Sequence, residues 1–423
     1  MLDPRRRSLA AAAMVFACSA CAGDDGVSSS DSGSGSGSGV VPLDAPNVVL
    51  IAFESSRARS TTPYTPELQT TPFLDQLAAE GTLVREAFTV VPHTTKALVP
   101  LVCGIPPKLV KSIDEPAAGA LPIDCLGARL SALGWATLFI QPARASWEDR
   151  PGLVANFGYA SFLAKADLPT EGFDESSYFG YEDDIMLQPT FDWIDAQAGR
   201  PFFVTALTLT SHHDYAVPEG FPIQPFHSNE GYNNYLNTLA YTDRFITQLY
   251  AGLDARGLLD DTIFIVVGDH GEGFGEHGRT GHDNVIWDEG LHVPMILAGP
   301  GVPAGEVLGG VRQTADVPPT ILSLLGVDYD PEEFDGRDLF AGDGHARIFA
   351  SCWFDDYCLM MREGARKAVF HYDRRPLAVY DISSDPLEKT NIIDLDDNQS
   401  FADAAVLAME SWRQTTNLRY ASQ

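Results

Sequence analysis

In the stretch IFIVVGDHGEGFGEHGRTGHDN, residues 263–284, six side chains able to bind cations or move protons lie within 14 residues: Asp269, His270, Glu272, Glu276, His277 and His282. Carboxylates with an imidazole make a hard, oxygen-rich donor set suited to a divalent cation such as Mn²⁺, Zn²⁺, Mg²⁺ or Ca²⁺. Two other apolar runs end in residues of the same kind, PNVVLIAFE at Glu54 and FFVTALTLTSHH at His212. Glu54, Asp269 and His270 would supply three ligands and leave positions open for a substrate. A cation held there polarises a phosphoryl or sulfuryl oxygen and lowers the pKa of a coordinated hydroxyl. The matching nucleophile is sought in VVPHTTKALVPLVCG, where two threonines precede the first turn of a helix. The positive helix end favours an alkoxide there. A threonine that merely caps the helix has the same signature.

Such residues need a frame to bring them together. PNVVLIAFE is a continuous apolar, β-branched run, the pattern of a strand buried on both faces. TTPFLDQLAAEG follows with helical spacing, a Thr-Pro start and a Gly stop. LSALGWATLFIQ, DWIDAQAGRPFFVTALTLTSHHDY and LYAGLDARGLLDDTIFIVVGDH each pass from helix to strand. This alternation predicts an α/β fold, a central mostly parallel sheet flanked by helices. Sites in such sheets form at the carboxyl edge, where Glu54, His212 and Asp269–His270 would meet. From about residue 346 the pattern breaks into short runs, KAVFHYD and LAVYDIS, and a final helix near FADAAVLAMESWRQ. A small C-terminal subdomain, residues 346–423, is expected beside a catalytic domain at 46–345.

The 423 residues carry a formal charge of −30, which excludes a nucleic-acid binder relying on a basic face. MLDPRRRSLAAAAMVFACSACAG has the basic cluster, short apolar run and small residues of an export signal. Residues 1–21 are read as a lipoprotein-type signal, with Cys18 or Cys21 as the lipid-bearing cysteine. Residues 22–45 are read as a Gly/Ser-rich tether. The expected location is therefore the cell envelope, on a lipid anchor alone, since no later run reaches the ~18 apolar residues of a membrane span. The remaining cysteines, Cys103, Cys125, Cys352 and Cys358, are even in number in an exported chain, and the local pairs 103–125 and 352–358 are expected.

Six stretches in this order, PNVVLIAFESSR, TPFLDQLAAEG, GDHGEGFGEHG, VPMILAGPG, TADVPPTILSLLG and LAVYDISSDPLEKTN, resemble the landmarks of the sulfatase-like part of the alkaline phosphatase superfamily. The likeness spans roughly residues 46–395. It implies an alkaline-phosphatase-like α/β sandwich with one divalent metal and a nucleophile at the carboxyl ends of the strands. Formylglycine sulfatases carry Cys or Ser in a C/S-x-P-S-R stretch, whereas this chain has TTKAL, and a threonine cannot be so converted. Glu54 followed by Ser55, together with a threonine nucleophile, is similar to the lipoteichoic-acid synthase and phosphoethanolamine transferase branches. Alignment on Cys103–Gly104 selects Thr94 and alignment on Pro100 selects Thr95; Thr94 is favoured.

Carried over residue by residue, the resemblance makes Glu54, Thr94, Asp269 and His270 the metal ligands. It makes His282, thirteen residues after Asp269, a phosphate-facing histidine. It selects His212 over His213 for a similar role, although Asp214 stands where the family has proline. Trp147 and Arg150 resemble a glycerol-phosphate pair, one residue further apart than in the family. Lys96 would add charge near the phosphoryl group or lie in solvent, and His277 would be structural. The expected chemistry is cleavage of phosphoesters, of phosphoglycerol or phosphoethanolamine type, through a phospho-threonine. The alternatives are a sulfate-ester hydrolase without formylglycine and a non-catalytic glycan-binding relic. Nothing in the sequence speaks to oligomeric state.

Overall fold

Apolar runs with residues buried on alternate sides set the central sheet, as the computed structural model shows for the residues it describes, 45–353, 358–372 and 374–421. Cys18, Cys21 and the tether lie outside the described residues. The main part of the chain runs β1 (Asn47–Phe53), α1 (Pro72–Glu80), β2 (Thr82–Phe88), α2 (Thr94–Cys103), α3 (Leu126–Leu133), β3 (Ala136–Ile140), α4 (Arg150–Phe157) and β4 (Ser161–Leu163). It continues through α5 (Leu187–Asp195), β5 (Phe202–Leu207), α6 (Glu230–Asp254), β6 (Thr262–Gly268), the short β7 (Gly273–Phe274) and β8 (Thr280–Gly281), α7 (Asp288–Leu291), β9 (Met295–Ala298), β10 (Glu306–Gln313) and α8 (Val317–Leu324). Eight strands form one sheet in the order β10-β2-β9-β6-β1-β5-β3-β4. Every pairing is parallel except those of β9, which runs against both β2 and β6. This is the flanked, mostly parallel sheet expected from the alternation of strands and helices.

Both faces of β1 are buried. Val48, Leu50 and Ala52 join a core with Leu98, Leu101 and Phe157, while Val49, Ile51 and Phe53 join another with Leu77, Leu239 and Phe245. Burying each such side chain is worth about 1.5–3 kcal/mol, so the sheet position of β1 is strongly fixed. α1 begins with Pro72 in its first turn and ends at Gly81. A Cβ on Gly81 would come within 2.0 Å of the Leu297 carbonyl, so only glycine lets this helix end against β9. At the end of α2, Gly104 adopts φ 72°, the left-handed conformation that halts a helix.

The C-terminal part is a four-stranded antiparallel sheet of β11 (Arg347–Ser351), β12 (Leu359–Glu363), β13 (Arg366–Phe370) and β14 (Ala378–Asp381), followed by α9 (Asn398–Ala421). α9 extends several residues beyond the helix expected at either end. It packs Ala405 and Met409 on one face of the small sheet, against Leu359, Met361 and Ala368. The other face, with Ile348, Met360 and Val369, packs on Ile286, Trp287 and Leu291. Those three residues directly follow the His282 loop, so the small sheet supports that loop. Cys103–Cys125 and Cys352–Cys358 are joined, the pairing expected from their spacing. No helix of the described residues is long and apolar enough to cross a membrane.

Candidate active site and metal centre

β1 and β6 are neighbours in parallel register, Phe53 opposite Gly268. The next residues, Glu54 and Asp269, therefore leave the sheet side by side. Ser55 turns the chain with φ 49°, and its backbone N–H donates to Asp269 Oδ1 over 2.9 Å. Ser55 Oγ donates to Glu54 Oε1 over 2.7 Å. His270 completes the set, and its backbone N–H also donates to Asp269 Oδ1 (2.7 Å). Its Nδ1 lies 2.9 Å from the Gly271 carbonyl, which can only accept, so Nδ1 carries the hydrogen and Nε2 is turned to the carboxylates. Nε2 is 3.4 Å from Asp269 Oδ2 and 3.6 Å from Glu54 Oε1.

Thr94 reaches the same point from α2. Its Oγ1 is 3.2 Å from Glu54 Oε2 and 3.3 Å from His270 Nε2. The helix cap is His93, whose side chain makes no capping bond, so Thr94 is not a cap and its hydroxyl faces the cluster. Thr95 Oγ1 instead donates to Glu148 Oε2 at 2.5 Å, away from it. Geometry thus separates two threonines that sequence alignment left open.

These residues fit a divalent cation. The ligand atoms of Glu54, Asp269 and His270 lie within 4.8 Å of one another, and Asp269 Oδ2 is buried without a hydrogen-bond partner. A backbone carbonyl on the far ring nitrogen is how metal-ligating histidines are held. Burial pushes the Glu54 carboxyl up to about 8, with the Asp269 charge adding to it, and pushes Asp269 up to about 7. A cation among them would reverse both shifts. A second group, His213, Glu272 and His282, meets the same spacing beside it.

The histidines form a patch. The His282 ring is 4.3 Å from that of His270 and 5.6 Å from that of His212, and His213 is 4.0 Å from His212. His212 Nδ1 is 2.7 Å from the His213 carbonyl, so its hydrogen is committed there and Nε2 is left as a base. His282 Nδ1 is 3.2 Å from Glu272 Oε2. Burial, then the neighbouring imidazoles, hold His212 and His282 well below the ordinary histidine range. Burial pushes Glu272 up to about 7.

One pocket is lined by Glu54, Thr94, Trp147, Arg150, Phe179 and His212. Trp147 stacks on Phe179 with ring centroids 4.9 Å apart. Arg150 is 3% exposed, and its Nε and Nη1 have no hydrogen-bond partner. An interior guanidinium with two unpartnered donors can receive an oxyanion, and it is not a surface stack. Lys96 needs a correction to both of its expected positions. It is buried and its Nζ lies 2.6 Å from Glu115 Oε1 and within hydrogen-bond distance of the Lys108 and Ser112 carbonyls, held away from Thr94. The apolar surroundings of α2 leave no path to solvent, so the ammonium takes an internal partner. His277 is structural, with Nδ1 2.6 Å from Glu289 Oε1 and its ring stacked on Trp287. Sequence reasoning gave no part to Glu148 and His93, which pair at 3.2 Å, or to Glu272, which braces His282. Glu272 stood in the acidic crowd from the outset, whereas nothing local marks Glu148.

The sulfatase family model matches residues 46–327. Lipoteichoic acid synthase 2 of Bacillus subtilis is 25% identical over 247 residues, 50% of this chain and 37% of that protein. Phosphoglycerol transferase I of Xanthomonas campestris pv. campestris is 25% identical over 287 residues, 64% of this chain and 40% of the relative. The chain thus spans about two-fifths of the length of these curated relatives. An alkaline phosphatase superfamily protein from Vibrio parahaemolyticus has the same fold, with TM-score 0.73 and 21% identity over 89% of this chain and 88% of that one. The family match covers every strand of the central sheet, with Glu54, Thr94, Asp269 and His270 at its edge, and establishes that the chain belongs to the sulfatase family.

Proposed function

We propose that this protein is a metal-dependent phosphoester hydrolase or phosphotransferase that works through a phospho-Thr94 intermediate on phosphoglycerol- or phosphoethanolamine-type donors. One observation carries the reading: the Thr94 hydroxyl sits 3.2 Å from Glu54 in a pocket also lined by Arg150, whose Nε and Nη1 have no hydrogen-bond partner. Glu54, Thr94, Asp269 and His270 would hold the divalent ion, Mn²⁺, Zn²⁺, Mg²⁺ or Ca²⁺, which supplies polarisation of a phosphoryl oxygen and a lowered hydroxyl pKa.

Arg150 binds the non-bridging phosphoryl oxygens and sets phosphorus against Thr94 Oγ1. The hydroxyl proton passes towards Glu54 Oε2 as the Oγ1–P bond forms and the ester P–O bond breaks. His282 is braced by Glu272 on Nδ1 and neutral before substrate binds; the anionic phosphoester beside it favours uptake of a second proton, which its other ring nitrogen gives to the departing oxygen. In the second half, His212 Nε2 takes the proton of an incoming alcohol or water, whose oxygen displaces Thr94 from phosphorus. Trp147, stacked on Phe179, gives the alcohol part an apolar wall. The relatives named for lipoteichoic acid synthesis and phosphoglycerol transfer support a phosphoester over a sulfate ester.

The N-terminal sequence supports an exported, lipid-tethered enzyme acting on envelope material, anchored at Cys18 or Cys21, with a catalytic domain over 46–345 and the C-terminal subdomain over 346–423. Side-by-side turnover of bis-p-nitrophenyl phosphate, p-nitrophenyl phosphate and p-nitrophenyl sulfate tests the reading. The diester should lead, Thr94→Ala should abolish turnover with the fold retained, and intact mass should show a phosphoryl adduct in wild type. Preference for the sulfate, or full activity in Thr94→Ala, refutes it.

A further inference from the structure

We infer that Gln141 is a specificity-determining residue of this pocket, selecting phosphoesters whose alcohol part carries a hydroxyl or ammonium donor. The inference rests on the phosphoester reading above and extends it to substrate class. Gln141 follows the last residue of β3, so the sheet's carboxyl edge delivers it to the same pocket as Thr94, Trp147 and Arg150. Its backbone N–H is tied to the Leu163 carbonyl, and the residue is 1% exposed.

The orientation of its amide follows from chemistry. Nε2 lies 3.4 Å from the Ala143 carbonyl, and a carbonyl can only accept, so the nitrogen must occupy that side. Oε1 is thereby turned the other way, buried and without a hydrogen-bond partner. A buried acceptor of this kind is costly unless a ligand satisfies it. Phosphoryl and sulfuryl oxygens accept and cannot donate, so the reacting group itself is no partner for Oε1. Arg150 has the opposite character, with orphaned donors only. The pocket therefore offers N–H groups for an oxyanion and, separately, one acceptor for something else on the same substrate. In the same pocket the Trp147–Phe179 stack suits the C–H faces of a short carbon chain. A glycerol or ethanolamine ester of phosphate has all three features; an alkyl or aryl ester lacks the donor. A site built around such a bond rejects the analogue without it because its own polar atom is left unpaired.

The experiment measures kcat/KM for four p-nitrophenyl phosphodiesters that share one leaving group and differ in the second alcohol: glycerol, ethanolamine, choline and n-propanol. Wild type should favour the glycerol or ethanolamine ester over propyl by roughly ten- to a hundredfold, the range of one buried hydrogen bond. Choline, cationic but without an N–H, should fall with propyl if the donor is what Gln141 reads. In Gln141→Leu the glycerol-to-propyl ratio should collapse towards one, and Gln141→Glu, which restores an acceptor, should recover the preference for ethanolamine. A wild-type ratio near one, or a ratio unchanged in Gln141→Leu, overturns the inference. The ratio can also be read without turnover, from the melting-temperature shifts that sn-glycerol phosphate and n-propyl phosphate give in Thr94→Ala. Failure of the phospho-threonine reading would show separately, as hydrolysis of all four esters by Thr94→Ala.

Discussion

Lys367→Met tests how the C-terminal sheet holds the loop that carries His277 and His282. Lys367 is fully buried on β13, its ammonium 2.8 Å from Asp288 Oδ1 and 2.7 Å from Glu388 Oε1. Asp288 opens α7 shortly after the His282 loop, and the Glu388 carbonyl accepts from His277 Nε2 in that loop. Burial opposes both carboxylate charges. The ammonium overcomes it at Asp288, held at about 2, but not at Glu388, pushed up to about 7. Methionine fills similar space but leaves two buried acids without a cation, and breaking a buried pair from one side costs about 3–5 kcal/mol. For roughly 370 folded residues at ~2.1 cal/mol/K each, that is a Tm fall of about 4–6 °C. The sign with pH follows from proton binding. Without the ammonium both acids titrate higher when folded than unfolded, so the folded variant binds more protons above the ordinary carboxylate range. Its stability then rises as pH falls through that window. The deficit against wild type should be largest at pH 8 and shrink towards pH 5, read by calorimetric melts at several pH values. Lys367→Met with Asp288→Asn and Glu388→Gln should regain more than half of the loss, since no charge is then buried. A deficit under about 1 °C, or one indifferent to pH, refutes the reasoning.

Arg150→Met should lower kcat/KM on phosphodiesters by roughly a hundredfold or more while leaving Tm unchanged or raised. Its guanidinium is buried without a full set of partners, so removing it relieves a desolvated charge; a marked fall in Tm would contradict this. Asp269→Asn should weaken divalent-metal binding by one to two orders of magnitude in calorimetric titration, and chelation should lower the wild-type Tm but not that of the variant. Glu148 is mostly enclosed, which opposes its charge, but the His93 and Thr95 bonds prevail and hold it at about 2. A depressed acid stabilises the fold above its ordinary range near 4.5 and loses that contribution as pH falls through 2. Glu148→Gln should therefore cost ~1–2 kcal/mol above pH 5, after allowance for its partial exposure, with the difference vanishing towards pH 2 in denaturant melts.

The apolar runs by themselves specified the sheet. A strand buried on both faces must be apolar throughout, so PNVVLIAFE and DTIFIVVGDH could be read as parallel strands, and the polar residue ending each marked the carboxyl edge. Glu54, Thr94, Asp269 and His270, which the fold brings together, could be picked out because each sits at such an end or at a helix start. The cysteine pairing was expected from an even number in an exported chain and the nearness of each pair in sequence. Other features required the folded chain. The choice between Thr94 and Thr95 depends on which hydroxyl the first turn of α2 aims at Glu54, and one residue of helix rotates a side chain by about 100°. The burial of Lys96 depends on Glu115, nineteen residues away in sequence. Gln141 and Glu148 carry no local signal, since an amide or a carboxylate becomes informative only once its surroundings fix its partners. The sequence determined which segments must be buried, because burial is written in composition and period. Which polar atoms meet, and which stay unpaired for a substrate, was decided by tertiary structure, because hydrogen bonds and desolvation act over a few ångströms between segments that the chain keeps far apart.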